Sequence, residues 1–343
     1  MRLAGTLPTA LAVLAMAGDP VTAQDTRTSA ATVGEALPAD VVGAIRSAAS
    51  VRQIYPVTGD EKFDGQILKA DEIVFGPGSS LTLTAVNRPW IAIIAKRWKF
   101  ADARTWVRIG RADPRAAAGG AGADGGRGAD RPGEAGRRGN DGDGGQPGGQ
   151  GGTGGTLPLP AIYLIGGEFT SPDGQPLPGA LRLALTFQGV AGGAGGPGGR
   201  GGDGGGAGNG KEGATHPFDC GEGGGPGGNG GAGGPGGRGG DGGRGGDGAN
   251  LTYVSFPDGI EQLSYARVVN TEGFGGAGGR PGGPGTPGRA GSGAGRNGWC
   301  GPTDAGNPGA RPDPRDLGFG ADGADGRKGT VTAVTVRSLA PIF

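Results

Sequence analysis

Two cysteines are the residues with the most specific chemistry in this chain of 343 residues. Cys220 and Cys300 are its whole cysteine complement, and an even count in an exported chain favours a disulfide. A pair of unpaired thiols is the alternative. We predict that Cys220 and Cys300 are joined, because thiols outside a reducing cytosol tend to oxidise.

A row of alternating charges lies between the two cysteines in the sequence. Arg238, Asp241, Arg244 and Asp247 recur at every third residue of a glycine tract. They could form a surface-binding face, pair with facing tracts, or keep the surface soluble. Exposed ion pairs contribute at most about 1 kcal/mol, so solubility is the favoured role and surface binding the second hypothesis.

Several carboxylates beside the glycine tracts are candidate calcium ligands: Asp124, Asp141, Asp143, Asp322 and Asp325. The run 119–124 matches the first half of a calcium-binding nonapeptide, but Gly126 stands where that repeat needs an apolar residue. Solvated carboxylates are the alternative. Matches to Gly-x-Gly-x-x-Gly carry no weight, since none follows a strand in a βαβ unit. We therefore predict no metal site and no cofactor.

Catalysis has little support in the sequence. The only histidine, His216, stands beside Pro217, and no recognised motif places a Ser or Cys nucleophile near it. No pair of acidic residues is arranged for glycoside hydrolysis. We predict that the protein is not an enzyme, and a polysaccharide lyase built on a β-helix is the best enzymatic alternative.

Aromatic and basic residues of the first strands could stack on a sugar: Trp90, Trp98 and Trp106 alternate with Lys96, Arg97 and Lys99. Aromatic strand residues are more often part of a core. Asn250 opens an N-glycosylation sequon, which matters only where the modifying machinery exists.

The elements that must position these residues begin with one helix and a set of short strands. Val41, Val42 and Ile45 give one apolar face to a helix predicted at 39–50. Alternating apolar residues and intervening turns predict strands at 66–68, 72–75, 81–85, 90–95, 98–100 and 105–109. Further strands are predicted between the glycine tracts, at 161–165, 181–188, 251–256, 260–270 and 330–339.

Glycine accounts for 87 residues and recurs with a period of three. From 221 to 248 every third residue is Gly, and similar runs occupy 119–128, 133–154, 192–205, 273–291 and 320–329. A period of three matches polyproline II, which has three residues per turn. We therefore predict that the tracts are polyproline II helices rather than disordered spacers.

Two known groups resemble these tracts. Bacterial collagen-like proteins share the Gly-Xaa-Yaa period seen in GRRGNDGDGGQPGGQ and GRPGGPGTPGRAG. The runs of the type GGAGGPGGRGGDGG are more similar to the glycine-rich polyproline II bundles of the snow flea antifreeze protein and of phage tail-tip adhesins. The resemblance covers roughly half of the chain and implies an intramolecular bundle with a structural or surface-binding role.

A bundle is favoured over a collagen trimer by the second glycine of most triplets. Extra glycines raise the entropy lost on ordering, which makes sense if bare faces let neighbouring helices approach closely and form weak contacts. The fold class predicted is mostly β plus polyproline II, a β-solenoid or small sheet base with a projecting bundle. A plain β-sandwich base is the alternative.

The domain division that follows has four parts: a signal peptide at 1–23, an N-terminal segment with one short helix at 24–60, a β-rich base at 61–112, and a glycine-rich part at 113–343. The last part holds tracts at 119–155, 192–248, 273–298 and 318–329, with strands at 161–188, 251–270 and 330–339. We read the turn between 206 and 221 as antiparallel, so the disulfide closes a loop of about 80 residues.

The net charge and the N-terminal sequence limit where the protein is expected to be located and which partners it is expected to have. The basic Arg2, a short apolar run and small residues before 24 are typical of a signal peptide, so we expect a secreted, cell-surface or periplasmic protein. Lys plus Arg equal Asp plus Glu at 32 each, which argues against nucleic acid as a partner. No membrane span is expected.

The function predicted is that of a secreted, non-catalytic structural or adhesive surface protein. Its partner would be a cell-surface glycan, the matrix or another protein, and we expect a monomer, with a trimer as the alternative. An ice- or glycan-binding protein is the second hypothesis. A face of small uncharged residues would indicate ice binding, and the frequent Arg and Asp argue against it.

Overall fold

The computed structural model describes residues 26–50, 52–102, 104–135, 138–177, 181–313 and 318–343. The predicted signal peptide at 1–23 lies outside these residues. Two parallel sheets gather strands that are far apart in sequence. The larger contains β1 (Thr26–Ala31), β2 (Arg52–Val57), β4 (Ile67–Phe75), β6 (Trp90–Phe100), β10 (Ala161–Thr170), β14 (Leu251–Ser255) and β16 (Val331–Val336), in the order β1-β16-β14-β10-β6-β4-β2.

The smaller sheet takes the strands that alternate with these along the chain. It contains β3 (Asp60–Phe63), β5 (Ser80–Leu83), β7 (Val107–Arg111), β11 (Leu183–Thr186) and β15 (Arg267–Val269), in the order β15-β11-β7-β5-β3. All pairings in both sheets are parallel. Two antiparallel pairs lie elsewhere: β8 (Glu134–Ala135) with β9 (Arg138–Gly139), and β12 (Ala214–Thr215) with β13 (Cys220–Glu222).

One apolar core lies between the sheets. Ile93 and Leu164 of the larger sheet share a buried cluster with Leu83, Ile109 and Leu185 of the smaller one. Aromatic rings close one end of this cluster, with Phe75 stacked 5.2 Å from Phe100 and 5.7 Å from Trp98. Side-chain packing of this kind is the main source of stability in a layered domain.

A layer of helices covers the outer face of the larger sheet. The helices α1 (Val33–Ala36) and α2 (Ala39–Ser47) pack on a second buried cluster that includes Ile94, Ile165 and Val254. A 3-10 helix, Ala340–Ile342, closes the same cluster. Strands buried on both faces are expected to read as continuous apolar runs, which explains the run from Ile91 to Ala95.

The predicted fold class is wrong. The structure is a parallel α/β-type fold with two large parallel sheets and few helices, and neither a β-solenoid nor a polyproline II bundle. The apolar runs do not build a small base but are strands of a wide sheet, which needs helices on its second face.

Two local differences have clear causes. The predicted helix at 39–50 ends at Ser47. The predicted strand at 260–270 is instead a helix, α3 (Pro257–Ser264), followed by the short β15. Pro257 at the first helical turn and Asp258 beside it favour a helix start, and Leu263 packs this helix onto the core.

Apart from the short strands β8, β9 and β13, the described residues of the glycine tracts carry neither helix nor strand, yet the tracts pack in order. They form six segments joined by backbone hydrogen bonds: segment 1 (117–130), segment 2 (139–155), segment 3 (189–210), segment 4 (224–249), segment 5 (270–294) and segment 6 (303–313 and 318–329). We call these six segments the glycine-rich region, and the two parallel sheets with their helices the sheet region.

The segments form two layers. Segments 1, 3 and 5 run parallel in one layer, as shown by bonds such as Gly122 N–H to Pro197 O and Gly195 N–H to Ala277 O. Segments 2, 4 and 6 run parallel in the other layer. Bonds between layers are antiparallel, for example Gly240 N–H to Gly196 O. One end of every segment joins the sheet region, and the other end lies at a tip made by the connecting loops.

Candidate functional site

Two glycines of each central triplet face neighbouring segments, and the third residue faces outward. In segment 4 the Gly239 N–H donates to Gly318 O at 3.0 Å and the Gly240 N–H to Gly196 O at 2.8 Å. A Cβ on Gly239 would overlap a carbonyl of segment 5, and one on Gly240 a carbonyl of segment 2. Asp241, the third residue of this triplet, therefore carries the triplet's only side chain, which lies on the surface.

The four residues predicted for surface binding bond to one another. Arg238 Nη2 lies 3.2 Å from Asp241 Oδ1, and Arg244 Nη2 lies 2.6 Å from Asp247 Oδ1. The spacing of three residues puts each Arg and Asp one triplet apart on the same face. That they also bind an external ligand stays a prediction.

Their carboxylates have a second contact with the next segment. Asp241 Oδ1 accepts the Ala321 N–H at 2.8 Å, and Asp247 Oδ1 accepts the Arg327 N–H at 2.8 Å. Ala321 and Arg327 each follow the glycine that opens a triplet of segment 6, and the N–H at this place donates to no backbone carbonyl. A carboxylate on the adjacent segment supplies the acceptor that this N–H needs.

We call a hydrogen bond from a backbone N–H to a side-chain oxygen on the adjacent segment a capping contact, and such contacts recur in both layers. Asp124 accepts the Arg200 N–H, Asp203 the Thr286 N–H and Asn229 the Asn307 N–H, at 2.8 to 2.9 Å. The hydrogen bond from Thr286 lowers the pKa of Asp203, and that from Arg327 lowers the pKa of Asp247, with the arginine three residues earlier adding to each effect. These carboxylates therefore help to join adjacent segments of the glycine-rich region.

The other candidate calcium ligands are also engaged in bonds within the glycine-rich region and its connecting loops. Asp141 accepts the Asn229 N–H, Asp322 the Gly278 N–H and Asp325 the Gly275 N–H, while Asp143 pairs with Arg131 at 2.8 Å. Across the described part of the chain, no group of three or more His, Cys, Asp or Glu residues is arranged to hold a metal ion.

The structure separates the three tryptophans that were candidates for a sugar-stacking patch. Trp98 is fully buried in the core and donates to Ile165 O at 3.2 Å. Trp90 packs edge-on against Tyr163 in the cluster below the helices. Trp106 alone is exposed, at 40%. The predicted patch is therefore not assembled.

The cations of that patch are paired along β4. Lys96 Nζ lies 2.6 Å from Asp71, while Arg97 and Lys99 lie 2.5 and 2.9 Å from Glu72. The hydrogen bond from Lys99, assisted by Arg97, lowers the pKa of Glu72. Asn250, the sequon residue, accepts the Thr330 hydroxyl at 2.9 Å.

The tip of the glycine-rich region is fixed by covalent and hydrogen bonds. Cys220 and Cys300 form the predicted disulfide, which links the hairpin β12–β13 to the turn after segment 5. Asn297 Nδ2 donates to Gly213 O at 2.8 Å across the same gap. Gly298 has a φ of +53°, which a side chain would rarely adopt, and this lets the turn reverse tightly.

Two large aromatic side chains stand out at this tip. Phe218 is 89% exposed at the end of the hairpin, and Trp299 is 66% exposed beside it. The Trp299 indole donates to Pro217 O at 3.3 Å, so it is held next to the turn that carries Phe218. His216, whose N–H bonds to Asp219 O at 2.9 Å, closes that turn. We call Phe218 and Trp299 the tip aromatics.

Sequence reasoning did not single out the tip aromatics. The signal was present, because aromatic residues are rare among the glycine tracts and each of these two stands within two residues of a cysteine.

No helix among the described residues is long and apolar enough to span a membrane, as expected. Comparison with known proteins finds no matching family model, no similar curated protein and no similar solved structure. Function has to be argued from the geometry of this chain alone.

Proposed function

We propose that the protein is a secreted or cell-surface, non-catalytic structural or adhesive protein that contacts its partner through the tip aromatics. The observation that carries this proposal is the exposure of Phe218 and Trp299 at the end of the glycine-rich region farthest from the sheets. The partner is a cell-surface glycan, a matrix component or another protein.

Exposed aromatic side chains suit such a contact. Phe and Trp bury large areas with few rotatable bonds, and Trp is enriched among the residues that dominate binding energy. The disulfide and the Asn297 to Gly213 bond hold the loops in place before any contact is made. Pre-organisation of this kind reduces the entropy lost on binding.

The flanks of the glycine-rich region suit a different role. In the row Arg238, Asp241, Arg244 and Asp247 the side chains bond to one another, and both carboxylates also accept neighbouring N–H groups, so these residues already hold the segments together. The charged rows also disfavour ice binding, for which small uncharged side chains are expected. All six segments come from one chain and supply one another's neighbours, which supports a monomer.

The resemblance to phage tail-tip adhesins is part of this proposal, since those proteins also combine glycine-rich tracts with a surface-contacting role. The resemblance to bacterial collagen-like proteins and to the snow flea antifreeze protein remains one of composition.

The test uses the full mature chain on an array of cell-surface glycans and matrix proteins, fibronectin and laminin among them. We expect at least one surface to bind the wild type, and the double variant Phe218→Ala with Trp299→Ala to bind at least 10-fold more weakly. The matched control is Phe274→Ala with Phe319→Ala, because these phenylalanines are 67% and 66% exposed but lie on the segments.

Retention of binding by the control and loss by the tip variant would support adhesion through the tip. Equal binding by the tip variant and the wild type would contradict it, as would equal losses in both double variants.

A further inference from the structure

The sheet region has a cavity far from the tip. Its volume is about 690 Å³, and its lining comes from the end of β6, residues just before β7, residues after β10 and just before β11, and the residue that follows α3. The floor is apolar and comes from Phe100, Leu177 and Leu181, which are 2%, 8% and 2% exposed. Ligand sites of small molecules commonly combine such a floor with a few polar groups on the walls.

Two aromatic rings stand on the walls of this cavity. Trp106 is 40% exposed just before β7, and Tyr265 is 50% exposed at the end of α3. The ring of an aromatic residue offers an apolar face, and a pyranose ring presents C–H groups that pack against such a face. Both rings lie on the rim of the same depression, so a chain of sugar units could contact both.

Two arginines and one aspartate supply the charge of the cavity. Arg182 Nη1 donates to the Arg104 carbonyl at 2.7 Å, so its guanidinium is held at the wall. The Asp102 carboxylate accepts the Arg104 N–H at 2.8 Å. The Arg104 side chain is exposed, and none of the ion pairs among the described residues includes it. Both guanidinium groups belong to the lining itself, while two further carboxylates touch it from outside: Asp173 accepts the Ser171 hydroxyl, and Glu261 Oε1 lies 3.5 Å from the Tyr265 hydroxyl.

We propose that this cavity binds an acidic oligosaccharide, with Trp106 and Tyr265 stacking on sugar rings and Arg104 and Arg182 binding an anionic substituent. A guanidinium presents a planar fork of donors that matches a carboxylate, so uronate units are the preferred source of the anion and sulfate esters the second. The site is independent of the tip, and the proposal does not rest on the function proposed above.

The binding test is isothermal titration calorimetry of the full mature chain with three hexasaccharides. Hexagalacturonate carries only carboxylates, a sulfated galactan hexamer carries only sulfates, and maltohexaose is neutral. We expect hexagalacturonate to bind at least 10-fold more tightly than maltohexaose, and its affinity to fall as salt is raised. Tighter binding of the sulfated hexamer would support the acidic saccharide and reverse the order of the two anions.

Two variants locate the site. Trp106→Ala is expected to weaken hexagalacturonate binding at least 10-fold, and Arg104→Gln to remove most of the preference over maltohexaose. Both side chains are exposed, and thermal unfolding checks that each variant folds. Trp106→Tyr keeps an aromatic face and should retain part of the affinity, which a merely structural effect of the alanine would not predict.

The matched control is Trp299→Ala, which removes a tryptophan of greater exposure from the tip. It should leave hexagalacturonate binding unchanged. The proposal is overturned if none of the three hexamers binds, if the neutral hexamer binds as tightly as the acidic ones, or if Trp106→Ala and Arg104→Gln bind like the wild type.

Discussion

The sheet region and the glycine-rich region solve the same packing problem in opposite ways. In the sheet region Ile93, Leu164 and Leu185 fill the space between two sheets, and stability comes from the apolar area that they bury. In the glycine-rich region neighbouring backbones touch directly, and stability comes from hydrogen bonds that only the absence of side chains allows. A buried methyl group therefore stabilises the sheet region, whereas in the glycine-rich region it would keep neighbouring backbones apart.

The number of neighbours decides how many glycines a segment needs. Segments 3 and 4 each bond to four other segments, and their triplets are mostly Gly-Gly-Xaa. Segment 6 bonds to two, and Ala321 and Ala324 take the second place of its triplets. A Cβ on Gly320 or Gly323 would overlap a carbonyl of segment 4, so one glycine per triplet remains obligatory. The number of glycines per triplet therefore follows the number of segments that surround each of these tracts.

The sharpest test of this contrast uses two adjacent glycines of segment 5. A Cβ on Gly282 would overlap the carbonyl of Gly199, and the Gly282 N–H bonds to Gly237 O at 2.8 Å. Gly282→Ala should therefore force neighbouring backbones apart and lower the free energy of unfolding by more than about 4 kcal/mol, at the upper end for single substitutions. Thermal unfolding, with hydrogen exchange to assign the region, measures this effect.

Gly283 is the matched control because it is exposed and a Cβ there would meet nothing within 4 Å. Gly283→Ala should change stability by no more than about 0.5 kcal/mol. In the sheet core, Ile93→Val removes one methyl and should cost about 1 kcal/mol. If both alanine variants behaved alike, direct backbone packing would not be what holds the segments together.

Removal of the disulfide should have the next largest effect, and only in the glycine-rich region. Cys220 and Cys300 are 80 residues apart in sequence, and closing such a loop stabilises the folded state by roughly 4 kcal/mol at most in the chain-entropy model. We expect Cys220→Ser with Cys300→Ser to raise hydrogen exchange at the tip and in the adjoining ends of segments 4 and 5. Exchange in β6 and β10 should not change.

Faster exchange throughout both regions would contradict that expectation, since it would mean that the two regions unfold as one unit. Reduction of the wild type provides the control, because it breaks the same bond without changing the sequence.

The elements of the fold were easier to predict from the sequence than their arrangement. Val41, Val42 and Ile45 marked α2, and the apolar run at Ile91 marked β6. Neither pattern reveals which strands are neighbours. β6 pairs with β10 across a glycine segment pair, and β14 pairs with β16 across another two segments. Pairings across such distances depend on how the intervening segments fold back, which no local pattern encodes.

The candidate sites were predictable to differing degrees. The pairing of Cys220 with Cys300 followed from their number, and the structure confirms it. The capping role of Asp241 and Asp247 could not be predicted, because the N–H groups that they accept lie about 80 residues later in the chain. The cavity beside Trp106 likewise depends on Arg182 and Tyr265, which tertiary folding alone brings to it.

The smallest effect expected concerns acid and the capping carboxylates. Bonds from Arg327 and Arg244 lower the pKa of Asp247 from its ordinary value of about 3.9. A carboxyl whose pKa is lower in the folded state adds stability that is fully present above its unfolded pKa and is lost as the pH falls through the folded one. The glycine-rich region should therefore melt at lower temperature below about pH 4.

Asp247→Asn separates the charge from the hydrogen bond. Asn229 and Asn209 already accept N–H groups from the adjacent segment at 2.9 Å, so an amide can serve as the cap. We expect Asp247→Asn to melt slightly below the wild type at pH 7, because the attraction to Arg244 is lost, and its melting temperature to decrease less on acidification.

Asp247→Ala should melt lower still at pH 7, by a few degrees, because the Arg327 N–H then loses its partner. The pKa of Glu72 in the sheet region is lowered as well, by its hydrogen bond from Lys99, so its protonation also contributes to the loss of stability in acid. The difference between the Asn variant and the wild type across pH 7 to 3 is therefore the quantity to measure. An Asn variant as unstable at pH 7 as the Ala variant would show that charge, and not the capping bond, is what this residue contributes to the glycine-rich region.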